Sequence, residues 1–205
     1  MQVSLDNIGK KFIGNQWIFR NLNFHIKPTD RVAFTGHNGS GKSTLVQIIA
    51  GSSLPSEGKV IYSNPIKEIK VEEAIPEISY AAPYIELIEE YTLKEFLKFH
   101  FQFKKLNRVS NLRELIEVMY LNGHENKLIK FFSSGMKQRL KLAITFYSKS
   151  ELILLDEPTT NLDSTGTKWY IDQIKQISSE IPIIIASNQE FEYEFCNKVL
   201  NVSKD

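Results

Sequence analysis

The stretch GHNGSGKS, residues 36–43, lies between two apolar segments, RVAFT (31–35) and STLVQIIA (43–50). The first segment has the length of a β-strand, and the second is typical of a short helix that ends at Gly51. The eight residues themselves fit the pattern GxxxxGK[ST], in which glycines let the backbone fold tightly so that its N–H groups point inward. Because the N-terminus of the following helix adds partial positive charge, this loop predicts a cradle for phosphate groups.

Two side chains of this loop have predicted parts in holding a nucleotide. Lys42 would reach the β- and γ-phosphates, and the Ser43 hydroxyl would be a ligand of Mg²⁺. The predicted phosphate-binding residues are Gly36, His37, Asn38, Gly39, Ser40, Gly41, Lys42, Ser43 and Thr44. A strand before the loop and a helix after it are what this mechanism requires, and both are predicted here.

A second motif, LILLDEP (152–158), consists of four apolar residues, two carboxylates and a proline. Its pattern places Asp156 and Glu157 at the C-terminal end of a buried strand, where α/β sheets bind their ligands. Asp156 would hold Mg²⁺ through water, and Glu157 would polarise an attacking water as a general base. An apolar strand that ends in two acids is common by itself, but together with the phosphate loop it indicates nucleotide hydrolysis.

The hydrophobic pattern changes along the chain. Residues 2–35 are typical of short strands, and the pattern becomes helical from Thr92 to about Ser150. ELILLDE (151–157) and IPIIIAS (181–187) are continuous apolar runs of strand length, which are typical of strands buried on both faces of a parallel sheet. These patterns predict an α/β core that is interrupted by a helical insertion at roughly 84–148.

One helix of this insertion contains the stretch EFLKFHFQF (95–103). Phe96, Phe99 and Phe103 fall on one helical face and are predicted to belong to the core. Phe101 lies away from that stripe and would be free to line a groove for a partner helix.

Length and composition limit the remaining possibilities. A chain of 205 residues that is 42% hydrophobic can form one sizeable core, or a core with a subdomain, but not two full domains. Its 25 basic and 24 acidic residues give a net charge of +1, so no strong overall field would attract nucleic acid or an anionic membrane. No apolar run reaches the roughly 18 to 20 residues of a membrane helix. One cysteine, Cys196, and no secretion signal lead us to expect a reducing, cytosolic setting.

A third motif, FSSGMKQRL (132–140), precedes the strand that ends in Asp156 and Glu157. It resembles the LSGGQ-type signature of the ATP-binding cassette (ABC) family, and the resemblance covers almost the whole chain. In physical terms, Ser133, Ser134 and Gly135 would open a helix and present a hydroxyl, free N–H groups and the positive end of the helix dipole to an anion. Taken alone, these residues would also fit an ordinary capped helix.

The resemblance implies the nucleotide-binding domain of an ABC transporter, a single domain over residues 1–205. It implies a P-loop NTPase (RecA-like) core with an N-terminal antiparallel β-subdomain and a helical subdomain inserted at about 84–148. The implied cofactors are ATP and Mg²⁺. We expect the protein to be cytoplasmic and to lie peripherally on the inner face of the cell membrane, bound to a separate transmembrane permease and not to nucleic acid.

The resemblance also implies a head-to-tail dimer, formed by two copies or with a related chain. In this arrangement the signature of one subunit binds the γ-phosphate of the ATP that the phosphate loop of the other subunit holds. The stretch TNLD (160–163) resembles the family's loop that lines the dimer interface, with Asp163 at its acidic position. Phe12 matches the position of an aromatic residue that stacks on adenine, although a core position for Phe12 or a stack from Trp17 would also fit.

Two positions depart from the family pattern. Pro83 stands where the family usually has a glutamine that touches Mg²⁺ or the attacking water, and no neighbouring residue obviously substitutes for it. Asn188 stands where the family usually has a histidine that hydrogen-bonds the γ-phosphate. An asparagine amide can donate to a phosphate oxygen but cannot exchange a proton near neutral pH. Because the phosphate loop, Asp156 and Glu157 match the pattern, we still expect an active ATPase, either slow or dependent on its partner. Its catalytic residues would be Glu157, Lys42 and Asn188.

Three functions from different classes fit these residues. The first is the ATPase subunit of an ABC transporter. The second is a soluble cassette that acts on ribosomes or DNA, a class that typically has two cassettes in one chain or a long coiled-coil insertion. The third is an ATP-gated regulatory or structural subunit with little hydrolysis, which the departures at Pro83 and Asn188 leave open.

Overall fold

The structure is a computed structural model, which describes residues 1–12 and 16–203. The described strands are β1 (Gln2–Lys11), β2 (Trp17–Ile26), β3 (Arg31–Thr35), β4 (Glu57–Ser63), β5 (Glu68–Ile69), β6 (Ile78–Ala81), β7 (Leu152–Asp156), β8 (Ile183–Ala186) and β9 (Lys198–Asn201). The described α-helices are α1 (Lys42–Ile49), α2 (Val71–Ala74), α3 (Leu93–Phe103), α4 (Leu112–Val118), α5 (Ser134–Tyr147), α6 (Ser164–Ile174) and α7 (Glu190–Tyr193). Short 3₁₀ turns lie at Ile75–Glu77 and Ile129–Phe131.

The first sheet is antiparallel and has the strand order β2-β1-β4-β5. β1 lies between β2 and β4, so that Val3 faces Ile26 on one side and Tyr62 on the other, and all three side chains are buried. The alternation of buried and exposed residues in β1 breaks after Leu5, where the register shifts and Asn7 has a φ of 51°. The predicted N-terminal antiparallel β-subdomain is present.

The second sheet has the strand order β6-β7-β8-β3-β9, and its last four strands pair in parallel. β7 and β8 are buried along their whole length, as their continuous apolar sequences predict. Ala186 of β8 is in register with Asp156 of β7 and with Phe34 of β3. The segments that follow these three strands therefore leave the sheet at the same edge, which is where ligands of α/β sheets bind.

The chain divides into two compact units. The first comprises residues 1–80, 150–157 and 178–205, and the second comprises residues 81–149 and 158–177. The predicted helical insertion, about 84–148, lies within the second unit, which also includes α6. That the two units form one domain stays a prediction.

Helix α3 in the second unit begins with a capping box. The Thr92 hydroxyl accepts from the Glu95 N–H at 3.3 Å, and the Glu95 carboxylate accepts from the Thr92 N–H at 2.8 Å. These two bonds satisfy backbone donors that the first helical turn leaves without an internal partner. Thr92 and Glu95 therefore fix where this helix begins.

The prediction that Phe96, Phe99 and Phe103 all belong to the core is wrong for two of them. Phe96 is buried, whereas Phe99 is 37% exposed and Phe103 is 75% exposed. The buried residues of α3 are Leu93, Phe96 and Leu97, which follow the spacing i, i+3, i+4. This spacing continues to position 100 and not to 99 or 103, so the two exposed phenylalanines lie along one edge of the buried stripe.

His100 is half-buried and lies one turn beyond the buried residues of α3. Its Nε2 lies 2.9 Å from the Ser148 hydroxyl, and its ring stacks on Phe96. Burial, and to a smaller extent the charge of Lys104, lowers the pKa of His100 to about 4. An imidazole in an unfolded chain has a pKa of about 6.5. His100 is therefore neutral in the folded protein across the physiological pH range.

This depressed pKa predicts a loss of stability in acid. Between about pH 6.5 and about pH 4 the unfolded chain binds a proton at His100 that the folded chain does not, so the free energy of unfolding falls as the pH decreases through this window. We expect His100→Gln, which does not titrate, to reduce that fall. Urea denaturation of both proteins at about pH 7 and about pH 5 measures the difference. An identical fall in both proteins would contradict the assignment to His100.

Candidate nucleotide-binding site

The loop between β3 and α1 depends on three glycines with positive φ. The angles are 140° at Gly36, 79° at Gly39 and 104° at Gly41. A Cβ atom at Gly36 would lie 2.3 Å from the Val202 carbonyl oxygen, and one at Gly41 would lie 2.5 Å from Cγ2 of Ile18. At Gly39 a Cβ atom would meet nothing within 4 Å. Gly36 and Gly41 are therefore required by both backbone angle and space, and Gly39 by backbone angle alone.

The side chain of Lys42 is held inside this loop. It is only 6% exposed, and its Nζ donates to the carbonyl oxygens of Gly36, at 2.8 Å, and His37, at 3.3 Å. An ammonium group carries three N–H donors, so these two bonds leave one further donor. The loop thus uses its own backbone carbonyls to fix the cation that is predicted to meet the phosphates.

Two oxygen-bearing side chains meet at the start of α1. The Ser43 hydroxyl donates to Oδ1 of Asp156 at 3.1 Å, and Asp156 is 2% exposed at the end of β7. Hydroxyl and carboxylate oxygens are ligands that Mg²⁺ accepts, and Mg²⁺ usually takes its other ligands from water and from substrate phosphates. Within residues 1–12 and 16–203, no group of three or more His, Cys, Asp or Glu side chains could hold a metal ion. Ser43 and Asp156 therefore fit a Mg²⁺ whose remaining ligands would be water and phosphate oxygens.

Glu157 follows β7 directly and has a left-handed backbone. Its φ is 42°, and its N–H donates to the Ala186 carbonyl oxygen at 2.9 Å. A left-handed conformation costs a non-glycine residue roughly 1–2 kcal/mol, and such strain is concentrated at functional sites. The exposed Glu157 side chain lines a cavity of about 480 Å³ together with Lys42, Ser43 and Thr44. Glu157 and the phosphate loop therefore share one cavity.

Asn188 lies against the phosphate loop. Its Nδ2 donates to Oδ1 of Asn38 at 2.7 Å. Ser187 before it is fully buried, and the Ser187 hydroxyl accepts from the Gln189 N–H at 2.8 Å. The strand end after β8 therefore brings an amide to Asn38, which lines the cavity, and the sequence predicts that this amide contacts the γ-phosphate.

The same cavity includes both candidate aromatic residues, Phe12 and Trp17. Phe12 is 61% exposed, so a core position for Phe12 is wrong. The Trp17 ring already has the Arg20 guanidinium 4.5 Å and the Lys11 ammonium 5.2 Å from its centroid, whereas Phe12 has the Lys10 ammonium at 5.5 Å. Phe12 is the more exposed of the two rings, so it remains the residue that we predict to stack on adenine.

The signature residues lie in the second unit. Ser133 is the N-cap of α5, and its hydroxyl accepts from the Met136 N–H at 3.2 Å, while Ser134 begins the helix. A Cβ atom at Gly135 would lie 3.1 Å from the Asn161 carbonyl oxygen, so the helix start packs closely on the loop that contains Asp163. The predicted helix opening is present. A role of these residues toward an anion stays a prediction.

Asp163 caps a helix in the same unit. Its Oδ1 accepts from the Gly166 N–H at 2.7 Å and so begins α6. An aspartate at this place stabilises both the free backbone donors and the positive end of the helix. Its side chain has a structural role here in addition to the interface role that the resemblance implies.

Two residues of α5 have contacts that the sequence did not indicate. The Gln138 amide is buried and donates to the Pro158 carbonyl oxygen at 2.7 Å. Lys141 Nζ donates to the carbonyl oxygens of Pro83, at 2.8 Å, and Ala82, at 3.4 Å. Lys141 therefore brings a polar side chain to Pro83, where the sequence showed no obvious substitute for the usual glutamine. The two residues are 58 positions apart, and no sequence pattern links them.

The comparisons with known proteins assign the family. A family model described as "ABC transporter" matches residues 19–160, which include the phosphate loop, the signature residues and Glu157. The chain belongs to the ABC transporter family.

Curated relatives agree with this membership. This ABC chain is 28% identical over 202 residues to the ABC transporter ATP-binding protein YxlF of Bacillus subtilis (strain 168), covering 97% of this chain and 66% of YxlF. It is 30% identical over 181 residues to the bacitracin transport ATP-binding protein BcrA of Bacillus licheniformis, covering 87% of this chain and 59% of BcrA. The chain thus spans somewhat less than two thirds of the length of these relatives.

Solved structures of ABC cassettes share the fold. A dimeric structure of the ATP-binding cassette MJ0796, in a post-hydrolysis state with ADP and Pi, matches with a TM-score of 0.84 at 23% identity. The match covers 98% of this chain and 94% of that chain. The predicted fold class, an α/β P-loop NTPase (RecA-like) core with an antiparallel β-subdomain and an inserted helical subdomain, is confirmed.

Proposed function

We propose that this chain binds and hydrolyses MgATP as the ATP-binding subunit of an ABC transporter and drives transport through a separate membrane subunit. The observation that carries the proposal is the cavity of about 480 Å³ that Lys42, Ser43 and Glu157 line together, with Asp156 hydrogen-bonded to Ser43. It contains a cation for phosphates, oxygen ligands for Mg²⁺ and a carboxylate that can accept a proton. Residues 36–44 would hold the phosphates through backbone N–H groups.

Binding would place the nucleotide along this cavity. Lys42 would pair with the β- and γ-phosphates, and Phe12 would stack on the adenine. Ser43 and Asp156 would hold Mg²⁺, which would supply positive charge to offset the negative charge of the phosphates. Each of these contacts uses a residue of the first unit.

Hydrolysis would follow at Glu157. Its carboxylate would accept a proton from a water whose oxygen attacks the γ-phosphorus, and the bond to the bridging oxygen of ADP would break. Asn188 would donate an amide N–H to a γ-phosphate oxygen. The products are ADP and inorganic phosphate. The left-handed backbone of Glu157 and its place in the lining of the cavity support this role.

A second nucleotide-binding chain would complete the site. We propose that Ser133, Ser134 and Gly135 of one subunit bind the γ-phosphate on the other, and that Asp163 lies at their interface. The partner would be a second copy of this chain or a related chain. The dimer of MJ0796, a cassette of the same fold, supports this arrangement.

The proposed location is the cytoplasmic face of the cell membrane, through a permease. No helix in the described part of the chain is long and apolar enough to cross a membrane. The names of YxlF and BcrA, which are ATP-binding proteins of transporters, support a membrane partner. A nucleic acid partner is not expected.

Purification of the tagged protein from detergent-solubilised cells, followed by single-turnover hydrolysis of labelled ATP, tests the proposal. We expect a protein with several membrane spans to co-purify and labelled phosphate to form. Ribosomes or DNA in its place would favour a soluble cassette. ATP binding without phosphate release, with the membrane partner present, would favour an ATP-gated subunit, for which Asn188 in place of histidine would be the reason.

A further inference from the structure

Asn188 and the phosphate loop are joined by a direct side-chain hydrogen bond. We infer that Asn38 is a positioning residue for ATP hydrolysis, which orients the Asn188 amide so that an N–H group, and not its oxygen, faces the γ-phosphate. The inference rests on the proposed function. It adds to that function the residue on which the unusual asparagine depends.

The sheet brings these two residues together. They are 150 positions apart in the chain, and Nδ2 of Asn188 lies 2.7 Å from Oδ1 of Asn38. Parallel pairing of β3 and β8 puts Phe34 in register with Ala186, so the loop after each strand begins at the same edge. The core of the first unit therefore fixes the strand ends from which these two exposed side chains meet.

The backbone at Asn188 is restrained from the side of the sheet. Ser187 is fully buried, its N–H donates to the Phe34 carbonyl oxygen at 3.2 Å, and its hydroxyl accepts from the Gln189 N–H at 2.8 Å. The freedom that remains is that of the Asn188 side chain. Because the terminal torsion of an asparagine is broad and roughly two-fold, the side chain alone does not select which end of the amide faces a ligand.

For an anion the two ends of the amide have opposite effects. The nitrogen carries two N–H donors, whereas the oxygen only accepts and would repel a phosphate oxygen. When Oδ1 of Asn38 accepts one N–H of Asn188, the nitrogen end is held toward the loop and the second N–H is left for the phosphate. A histidine ring has no carbonyl oxygen, and both of its nitrogens donate when it is protonated, so it would depend less on this selection.

The test is a double-mutant cycle with Asn38→Ala, Asn188→Ala and the double variant, measured as kcat and KM for ATP hydrolysis. A hydrogen bond to a charged group is strong enough that we expect each single variant to lower kcat by about tenfold or more, with little change in KM. If Asn38 acts through Asn188, the double variant should be no slower than the slower single variant. Effects that multiply would show independent roles and overturn the inference.

Two further variants separate positioning from folding. Asn38→Asp keeps an acceptor oxygen in the same place, so its kcat should stay closer to wild type than that of Asn38→Ala, while its added negative charge raises KM. In an Asn188→His background, Asn38→Ala should lower kcat by a clearly smaller factor than it does in the wild-type background. A tenfold loss in that background would overturn the inference, as would equal kcat values for Asn38→Asp and Asn38→Ala.

The same measurements distinguish this inference from the proposed function. Phosphate release by the wild-type protein above the level of Glu157→Gln supports the proposed function, whatever the cycle shows. Release at the Glu157→Gln level would overturn the proposed function, and the inference with it. Melting temperature and binding of a fluorescent ATP analogue confirm that each variant is folded.

Discussion

Glu157→Gln is expected to lower the rate of ATP hydrolysis by roughly 10² to 10⁴, the contribution that is typical of a general base. Glutamine has the shape of glutamate, and its amide can still hydrogen-bond a water, but it cannot accept the proton that leaves the water as the water attacks. Glu157 lines the cavity beside Lys42 and Ser43, so its side chain is within the predicted site. Single-turnover release of labelled phosphate measures the rate.

Nucleotide binding should survive the same substitution. The bond between the N–H of residue 157 and the Ala186 carbonyl oxygen uses only backbone atoms, so it is retained. The affinity for a fluorescent ATP analogue should stay within about threefold of wild type, since the removed charge is not among the groups that hold the phosphates. A loss of binding equal to the loss of rate would show that the residue acts on the fold or on the nucleotide and not on the water.

A matched control lies at the other end of the same strand. Glu151 immediately precedes β7, and its side chain is exposed. Its carboxylate lies 3.5 Å from the N-terminal ammonium of Met1. Glu151→Gln makes the same chemical change outside the cavity and should leave the hydrolysis rate unchanged. Equal losses at positions 151 and 157 would point to a general effect of charge.

Strands that are buried on both faces were the easiest part of the fold to predict, because nearly all of their residues are apolar. β7 and β8 are buried on both faces, so their apolar sequences indicate strands directly. The phosphate loop was predictable because its glycines meet a backbone requirement that few other residues satisfy. Helix α3 was predictable as a helix, but the direction of its buried face was not. The spacing of the phenylalanines predicted a buried face that includes Phe99 and Phe103. The face that is actually buried contains Leu93, Phe96 and Leu97.

The contacts that could not be predicted are those between residues far apart in the chain. In the first unit Asn188 donates to Asn38, and in the second unit Lys141 donates to the Pro83 carbonyl oxygen. Each bond joins segments that only the folded chain brings together. Neither lysine nor asparagine has a spacing or a composition that indicates such a partner. The sequence predicts which residues would contact the phosphates, and the structure adds hydrogen bonds between distant residues that no sequence pattern indicates.

The phosphate loop offers the second large effect, because a Cβ atom would clash at one of its glycines and not at another. Gly36→Ala is expected to destabilise the protein by about 3 kcal/mol or more and to abolish ATP binding. The new Cβ would lie 2.3 Å from the Val202 carbonyl oxygen, and that backbone is itself fixed, since the Val202 N–H donates to the Thr35 carbonyl oxygen at 2.8 Å. The φ of 140° at Gly36 adds strain that alanine cannot relieve without moving the loop.

Gly39→Ala is the matched control for this substitution. It lies in the same loop with a φ of 79°, but a Cβ there would meet nothing within 4 Å, so only the cost of the left-handed backbone remains, roughly 1–2 kcal/mol. Urea denaturation gives the two free energies of unfolding, and titration with a fluorescent ATP analogue gives the two affinities. We expect Gly39→Ala to keep measurable binding and Gly36→Ala to lose it. Equal destabilisation by the two substitutions would mean that backbone angle alone, and not the contact with Val202, requires glycine at position 36.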